Sequence, residues 1–164
     1  MIVKSFKPSI KELAPFIEEA VNSGKEVRLT VTGYSMYPLF RSGTDDVVLK
    51  KPEVLKKYDV VLFKRKDGNF VFHRIIKIKD NVLTIAGDNE TKKEFPVLIS
   101  DVVAVMKSFY RADNLHTTDE LWYRFYSGFW LFIFPLRHIA ARLYHFMAKT
   151  IRRIKGAFGH KKAK

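Results

Sequence analysis

The segment 70-FVFHRIIKIKDNVLTIAGDNE-90 contains two apolar runs separated by the dipeptide Asp80-Asn81. Both runs are rich in β-branched and aromatic residues, which favour strands, and the dipeptide between them favours a tight turn. If the turn has two residues, the register places His73 directly opposite Asp88, close enough for a hydrogen bond between imidazole and carboxylate. The sequence therefore predicts a β-hairpin that carries a histidine–aspartate pair.

The chain on both sides of this hairpin has a similar pattern. An Asp-Gly turn just before it places Leu62 opposite His73, so the histidine is predicted to lie in the middle strand of three. The further strand-like runs are EVRLTVT, DDVVLKK, YDVVLFKRK and VLISDVVAVMKSFYR. A helical pattern covers about residues 9–23. Residues 1–112 are thus predicted to form one mainly β domain with a short leading helix.

The chain of 164 residues is long enough for one domain with a sizeable core, and its charge is unevenly distributed. It has no cysteine, which excludes disulfides, thiolate metal sites and a cysteine nucleophile. Residues 137–164 hold nine Lys or Arg and no Asp or Glu, so they account for nine of the thirteen net positive charges. A basic end on a nearly balanced body indicates an anionic partner for that end.

Residues 113–164 differ from the β-rich part, since they are first aromatic and then basic. Thr117, with Glu120 three residues later, matches a capping box, which predicts the start of a helix. The uncharged aromatic run between Arg124 and Arg137 is shorter than a membrane-spanning helix requires. The positions after it have an apolar stripe beside basic residues, which is typical of a helix that lies in a membrane interface. This part is predicted to be a helical, aromatic and basic appendage.

The appendage is expected to bind an anionic membrane surface through residues 119–164, so the chain would be membrane-associated. The N-terminus lacks the long apolar run of a signal peptide, which favours the cytoplasmic face. The alternative is that the aromatic segment packs on the β-rich domain and the basic tail is solvated. Nucleic acid is not the expected partner, because the sequence has no helix-turn-helix, zinc-finger or RNA-binding signature.

TGYSMYPLF, residues 32–40, is a second unusual segment, because it sets one serine among large apolar side chains. A serine in a bend is ordinarily a turn residue, and a lone histidine–aspartate pair is ordinarily structural. A serine together with a histidine oriented by a carboxylate, however, is the nucleophile, base and orienter of acyl transfer. No cofactor is expected, and no metal site either, because the other four histidines are scattered along the chain.

GYSMYP, then FHRI, then GDN, in this order, resemble the superfamily of signal peptidase I and LexA-like serine peptidases. The resemblance covers about residues 27–106 and implies that superfamily's β-domain fold. In that family a Ser-Met pair marks the nucleophile. Most bacterial members use a lysine base, whereas the His-Arg pair here is similar to the branch of endoplasmic-reticulum-type signal peptidases.

The resemblance implies that Ser35 is the nucleophile, His73 the general base and Asp88 the residue that orients the imidazole. The backbone N–H of Ser35 would donate to the oxyanion. An extended substrate would add as a strand beside residues 27–32. The side chains expected to line the substrate are Tyr34, Met36 and Tyr37.

Two positions bear on how well the family pattern applies. Many signal peptidases have a serine two residues before the nucleophile as a second oxyanion donor, but this chain has Gly33 there, with Thr32 as a possible substitute. The family branch can also have an acidic residue shortly after the Gly-Asp-Asn box, where Glu90 or Glu94 stands. If the hairpin register fails, Glu94 becomes the better orienter than Asp88.

The sequence thus predicts a serine endopeptidase that cleaves a leader or signal segment of a precursor protein. The first alternative is a catalytically inactive, membrane-associated module that binds peptides, which Gly33 favours. The second alternative is an autoprocessing regulator.

Overall fold

The computed structural model describes residues 10–136. Within this range the chain forms eight strands, two α-helices and one 3-10 helix at Ile99–Asp101. The α-helices and strands are α1 (Ile10–Asn22), β1 (Val27–Thr30), β2 (Asp46–Lys50), β3 (Val60–Lys64), β4 (Phe70–Lys79), β5 (Val82–Ala86), β6 (Glu94–Leu98), β7 (Val102–Arg111), β8 (Asn114–Thr117) and α2 (Leu121–Phe132). The fold is mainly β, as the sequence predicts.

The strands form one antiparallel sheet in the order β1-β2-β7-β3-β4-β5-β6, and β8 also pairs with β7. β4, which carries His73, lies between β3 and β5. This middle position was predicted from the two turns that flank the strand. In the part of the chain that the structure describes, β1 stands at one end of the strand order and β6 at the other.

The register between β4 and β5 agrees with the prediction only near the turn. Lys77 faces Thr84, as a two-residue turn requires. Beyond that pair a β-bulge between Ile75 and Lys77 shifts the pairing by one residue, so that Arg74 faces Ala86. The predicted pairing of His73 with Asp88 is therefore wrong, because a slip of one residue exchanges the partners of neighbouring side chains.

The register between β3 and β4 also differs from the prediction. The sequence predicts Leu62 opposite His73, whereas the structure pairs His73 with Val61. The turn that joins the strands is longer than two residues, since Lys64 and Phe70 are the last pair before it.

α1 covers one side of the apolar core next to the β1–β2 connection. It lies within the predicted range and buries Ala14, Ile17 and Val21. Ile17 and Val21 belong to the same apolar cluster as Met36 and Phe40. The helix therefore supports the segment that contains Ser35.

The chain divides into two compact units, residues 1–128 and 129–164. The first unit contains the whole described sheet, α1 and the part of α2 up to Gly128. The predicted domain boundary at residue 112 lies between β7 and β8, two strands that pair with each other. In the second unit, residues 129–136 are helical apart from a bend at Ile133.

α2 begins at Leu121, three residues later than the capping-box pattern at Thr117 predicts, and Thr117 is instead the last residue of β8. The N–H of Thr117 still donates to Glu120 Oε1 at 2.7 Å, in the turn that precedes the helix. Within residues 10–136 no helix has the length and apolar character needed to cross a membrane. The predicted basic amphipathic helix falls almost entirely on residues 137–164, which lie outside the described residues.

Candidate active site

Ser35 lies in the turn-rich segment between β1 and β2. Three apolar side chains that follow it, Met36, Leu39 and Phe40, are buried in the core. Ser35 itself is only partly buried. The apolar residues that surround the serine in the sequence therefore hold the segment in the core, and leave the serine near the surface.

A buried aspartate fixes the two ends of this segment. The Asp45 carboxylate accepts a hydrogen bond from the N–H of Arg41 at 3.0 Å and another from its guanidinium at 3.1 Å. The backbone carbonyl of Asp45 accepts from the N–H of Val31 at 2.9 Å. The loop that presents Ser35 is thus closed by hydrogen bonds on both sides of the serine.

Gly33, two residues before Ser35, has a backbone conformation that favours glycine. Its φ is +85°, in the left-handed region that favours glycine over residues with a side chain. Its N–H donates to Ser42 Oγ at 3.0 Å. A serine at this position would be strained, so the local geometry favours glycine here.

A cavity of about 160 Å³ lies beside Ser35. Thr32, Met36 and apolar side chains from β1 to β4 line it. Of the side chains predicted to line the substrate, Met36 therefore reaches the cavity, whereas Tyr34 and Tyr37 stand exposed on the same loop. The arrangement offers an apolar groove next to a hydroxyl.

His73 is buried in β4, with 1% of its side chain exposed. Its Nδ1 lies 3.0 Å from Glu94 Oε1, and since the carboxylate can only accept, Nδ1 carries the hydrogen and Nε2 carries the lone pair. Nε2 has no hydrogen-bond partner within residues 10–136. One ring nitrogen is thus fixed, and the other is open to accept a proton.

Burial lowers the pKa of His73 below its ordinary value, because the imidazolium loses solvation. The carboxylates of Glu90 and Glu94 raise this pKa, but they do not offset the burial. Glu90 Oε1 lies 3.6 Å from Nε2. The imidazole is therefore neutral at pH 7, which is the form that a general base requires.

Glu94 is held in turn by Arg65. The guanidinium donates from Nε to Oε2 and from Nη2 to Oε1, both at 2.7 Å. Burial raises the pKa of Glu94, but the hydrogen bonds and charges of Arg65 and His73 together lower it below its ordinary value. Glu94 is consequently charged and cannot rotate easily, because both of its oxygens are engaged.

Gly87 lies between the serine backbone and the histidine. A Cβ at this glycine would be 2.6 Å from the Ser35 carbonyl oxygen and 3.0 Å from His73 Nε2. The N–H of Asn89 donates to the same Ser35 carbonyl at 2.7 Å. The Gly-Asp-Asn box therefore lies between the Ser35 segment and the imidazole and hydrogen-bonds to the former. The absence of a side chain at Gly87 allows the Ser35 carbonyl and His73 to lie close to it.

Asp88 does not contact His73 as the sequence predicts. It is buried and forms a bidentate ion pair with Arg74, with Nε to Oδ1 and Nη2 to Oδ2 both at 2.8 Å. The physical reason is the bulge in β4, which pairs Arg74 rather than Ile75 with Ala86. Asp88, two residues after Ala86, therefore lies on the same side as Arg74. Glu94, the alternative orienter, occupies the position at Nδ1.

The Arg74–Asp88 pair is completed by other polar groups. Arg74 Nη1 donates to the Tyr58 carbonyl at 3.0 Å and to Ser127 Oγ at 2.7 Å, and the Tyr126 hydroxyl donates to Asp88 Oδ2 at 3.0 Å. Burial lowers the pKa of Arg74, but Asp88 and Tyr123 together raise it above its ordinary value. This pair stays charged and joins β4 to the first part of α2.

Two residues of the site, Arg65 and Gly87, were not identified from the sequence. Arg65 meets Glu94 across 29 residues of chain, and no local pattern signals such a contact. Gly87 could have been found from the Gly-Asp-Asn box, whose glycine implies a close approach of backbone to another group. Glu90 was considered as a second acidic residue, and it lies near Nε2 instead of Nδ1.

The ligand atoms of His73, Glu90 and Glu94 lie within 4.8 Å of one another. This is the one group of three potential metal ligands found within residues 10–136. The site can therefore move a proton at Nε2 or offer that nitrogen, with a carboxylate, to a cation. No protein-family model and no curated protein matches this chain.

Proposed function

We propose that this chain is a serine endopeptidase in which Ser35 is the nucleophile, His73 the general base and Glu94 the orienting carboxylate. The observation that carries the proposal is the state of His73. Its imidazole is buried and neutral, its Nδ1 is fixed by a charged carboxylate, and its Nε2 is open toward Gly87, which also contacts the Ser35 backbone.

The proposed reaction is acyl transfer through these residues. Ser35 Oγ attacks the carbonyl carbon of the scissile peptide bond while its proton passes to His73 Nε2. The imidazolium then gives that proton to the departing amine, and an ester on Ser35 remains. Water attacks the ester, His73 again takes and returns the proton, and the carboxylate product leaves. Glu94 stabilises the imidazolium in both halves of the reaction.

The oxyanion needs donors that this chain supplies differently from many signal peptidases. The backbone N–H of Ser35 is the first proposed donor, as in the family that the sequence resembles. Gly33 has no side chain and its N–H is bonded to Ser42, so Thr32, which lines the cavity, is the proposed second donor.

The substrate is proposed to be an extended peptide with apolar side chains. The cavity beside Ser35 is lined mainly by apolar side chains, and β1 pairs with β2 alone among the described strands. A peptide added to that edge would gain backbone hydrogen bonds while its side chains enter the groove. A leader or signal segment of a precursor protein has this character, and the resemblance to signal peptidase I favours it.

Membrane association is part of the proposal. α2 turns Tyr123 and Ser127 inward, whereas Leu121 and Phe125 on its other side are largely exposed. Exposed aromatic and aliphatic side chains followed by the basic residues of 137–164 suit the interface of an anionic leaflet. A leader that is cut on the cytoplasmic face is the substrate expected from this placement.

The test compares the full chain with Ser35→Ala and with Ser100→Ala, a matched change at an exposed serine. Each protein is incubated at neutral pH with a degenerate peptide library and anionic vesicles, and cuts are identified by mass spectrometry. We expect cuts by the wild type and by Ser100→Ala, and none by Ser35→Ala. Equal cutting by Ser35→Ala, or a large fall in its unfolding temperature, would contradict a nucleophilic role.

A second candidate function is the catalytically inactive peptide-binding module. One observation favours it: His73 Nε2 has no hydrogen-bond partner in the described range, so the bond from the serine hydroxyl to the base is not formed. In a protease this bond often tightens only when substrate binds. Peptide binding by the Ser35→Ala and wild-type chains with no cut by either would favour the binding module.

A further inference from the structure

The hydrogen bonding of His73 resembles that of a histidine that ligates a metal ion. A histidine ligand in a metal site usually donates its second ring N–H to a carboxylate, which fixes the ring and makes the other nitrogen a better ligand. His73 has this arrangement, since Nδ1 is 3.0 Å from Glu94 while Nε2 is buried and lacks a hydrogen-bond partner within residues 10–136. The carboxylate that usually orients a metal-binding histidine is therefore present as Glu94.

A second ligand stands at a suitable distance from Nε2. Glu90 Oε1 is 3.6 Å away. Zinc binds nitrogen and oxygen ligands at about 2.0–2.2 Å with tetrahedral angles, so two of its ligands are about 3.4 Å apart. A shift of a few tenths of an ångström would allow one ion to bridge both atoms. Glu90 is partly exposed, with 37% of its side chain accessible, so this ligand is in contact with solvent.

Gly87 keeps the gap between these two ligands open. A Cβ at this position would lie 3.0 Å from His73 Nε2 and 3.1 Å from Glu90 Cγ. Any larger residue would therefore fill the space that an ion needs. Glu94 is close as well, but both of its oxygens are bound by Arg65, so its role is to orient the imidazole.

We propose that His73 Nε2 and the Glu90 carboxylate bind Zn²⁺, with water completing the coordination. An imidazole with a carboxylate suits zinc better than the all-oxygen sites that Mg²⁺ and Ca²⁺ prefer. Zinc held here occupies the lone pair that would accept the serine proton. Reversible inhibition by zinc is the consequence, and that part rests on the proposed peptidase function, whereas metal binding does not.

The binding test is a calorimetric titration of ZnCl₂ into the full chain at pH 7. All proteins carry His138→Gln, His145→Gln and His160→Gln, so that the C-terminal segment offers no imidazole. The variants compared are Glu90→Gln and, as the matched control, Glu53→Gln, whose exposed carboxylate pairs with Lys50. We expect Glu90→Gln to lower the zinc affinity at least about tenfold, the minimum that loss of an outer partner costs. Glu53→Gln should leave it unchanged.

The outcomes separate this proposal from the peptidase proposal. Equal zinc affinity in Glu90→Gln and in the control overturns the metal site, even if Ser35-dependent cleavage is found. Zinc binding that depends on Glu90, without any Ser35-dependent cleavage, supports the metal site and contradicts the peptidase. If cleavage is found, zinc should inhibit it, and Glu90→Gln should require at least about tenfold more zinc for the same inhibition. Inhibition at equal zinc would count against the site.

Discussion

His73 and Arg74 are neighbours in β4, and each is only 1% exposed, but their polar environments differ. Arg74 is surrounded by acceptors, and its ion-pair partner Asp88 is bonded to Arg74 and Tyr126. His73 is bonded through one nitrogen to Glu94 and leaves the other without a hydrogen-bond partner in the range 10–136. Buried polar groups ordinarily have hydrogen-bond partners. The bonded Arg74–Asp88 pair is therefore expected to be structural, whereas the unbonded His73 Nε2 is the atom expected to bind a proton or a ligand.

The first prediction tests the site around His73 through Glu94→Gln. Loss of the carboxylate charge removes the stabilisation of the imidazolium and permits the wrong tautomer, as in serine proteases whose orienting aspartate is replaced by asparagine. Ser35-dependent kcat/KM should fall by up to about 10⁴-fold. The measurement is cleavage of the best library peptide, with Glu53→Gln as the control.

The same change should affect stability little. The Arg65–Glu94 pair is partly exposed, with 36% and 22% of the side chains accessible, so its loss should cost about 1 kcal/mol or less of unfolding free energy. A fall in activity that follows the loss of folded protein, as measured by circular dichroism, would show that Glu94 is a structural residue.

The second prediction tests the other side of the comparison through Asp88→Asn. Arg74 would remain buried with a charge that lacks its partner, so the unfolding free energy should fall by about 3–5 kcal/mol. Denaturant unfolding measures the change. The control is Asp46→Asn, which breaks the more exposed ion pair with Arg28 and should cost about 1 kcal/mol or less.

Asp88→Asn also distinguishes the two acidic residues. At a temperature where the variant is folded, its kcat/KM should stay well above that of Glu94→Gln, because both Asp88 oxygens bind Arg74 whereas Glu94 binds the imidazole. The reverse order of activities would restore Asp88 as the orienter and would contradict the assignment of Glu94.

The third prediction concerns the hydroxyl that joins α2 to the buried pair. Tyr126→Phe removes the hydrogen bond to Asp88 Oδ2, which Arg74 Nη2 still contacts. Hydrogen bonds to charged groups contribute about 1.5–3 kcal/mol, and the remaining contact places the expected loss toward the lower value. Thermal unfolding measures it, with Tyr110→Phe on β7 as a comparison. A loss as large as that of Asp88→Asn would mean that the pair depends on α2.

Much of the fold was predictable from the residues, because alternation and turn signals are local. The strand that carries His73, its position between two partners and the leading helix all follow from such patterns. The bulge between Ile75 and Lys77 does not, since no glycine or proline marks it. That one extra residue decides which acidic side chain meets the histidine, so the fold could be predicted more fully than the candidate site.

The roles of the two acidic residues show the same limit. Side chains of adjacent residues in a strand point to opposite faces, so His73 and Arg74 each require a partner. Asp88 and Glu94 are both candidates in the sequence, but no local pattern indicates which of them pairs with His73 and which with Arg74. The contact of Arg65 with Glu94 is still harder to predict from the sequence, because it arises from the tertiary fold and not from any spacing in the chain.

The last prediction concerns the pH dependence of cleavage and has the smallest effect at neutral pH. Burial lowers the pKa of His73, and the neutral imidazole is the base, so activity should persist below the ordinary histidine pKa of about 6.5 and decline only at lower pH. Glu90 raises the pKa of His73, so Glu90→Gln should move this decline to still lower pH while the rate at pH 7 changes least. The measurement is kcat/KM against pH with a chelator present, which removes any bound zinc. A decline centred above pH 6.5 would mean that the carboxylates outweigh burial, and that His73 resembles an ion-paired structural histidine more than a base.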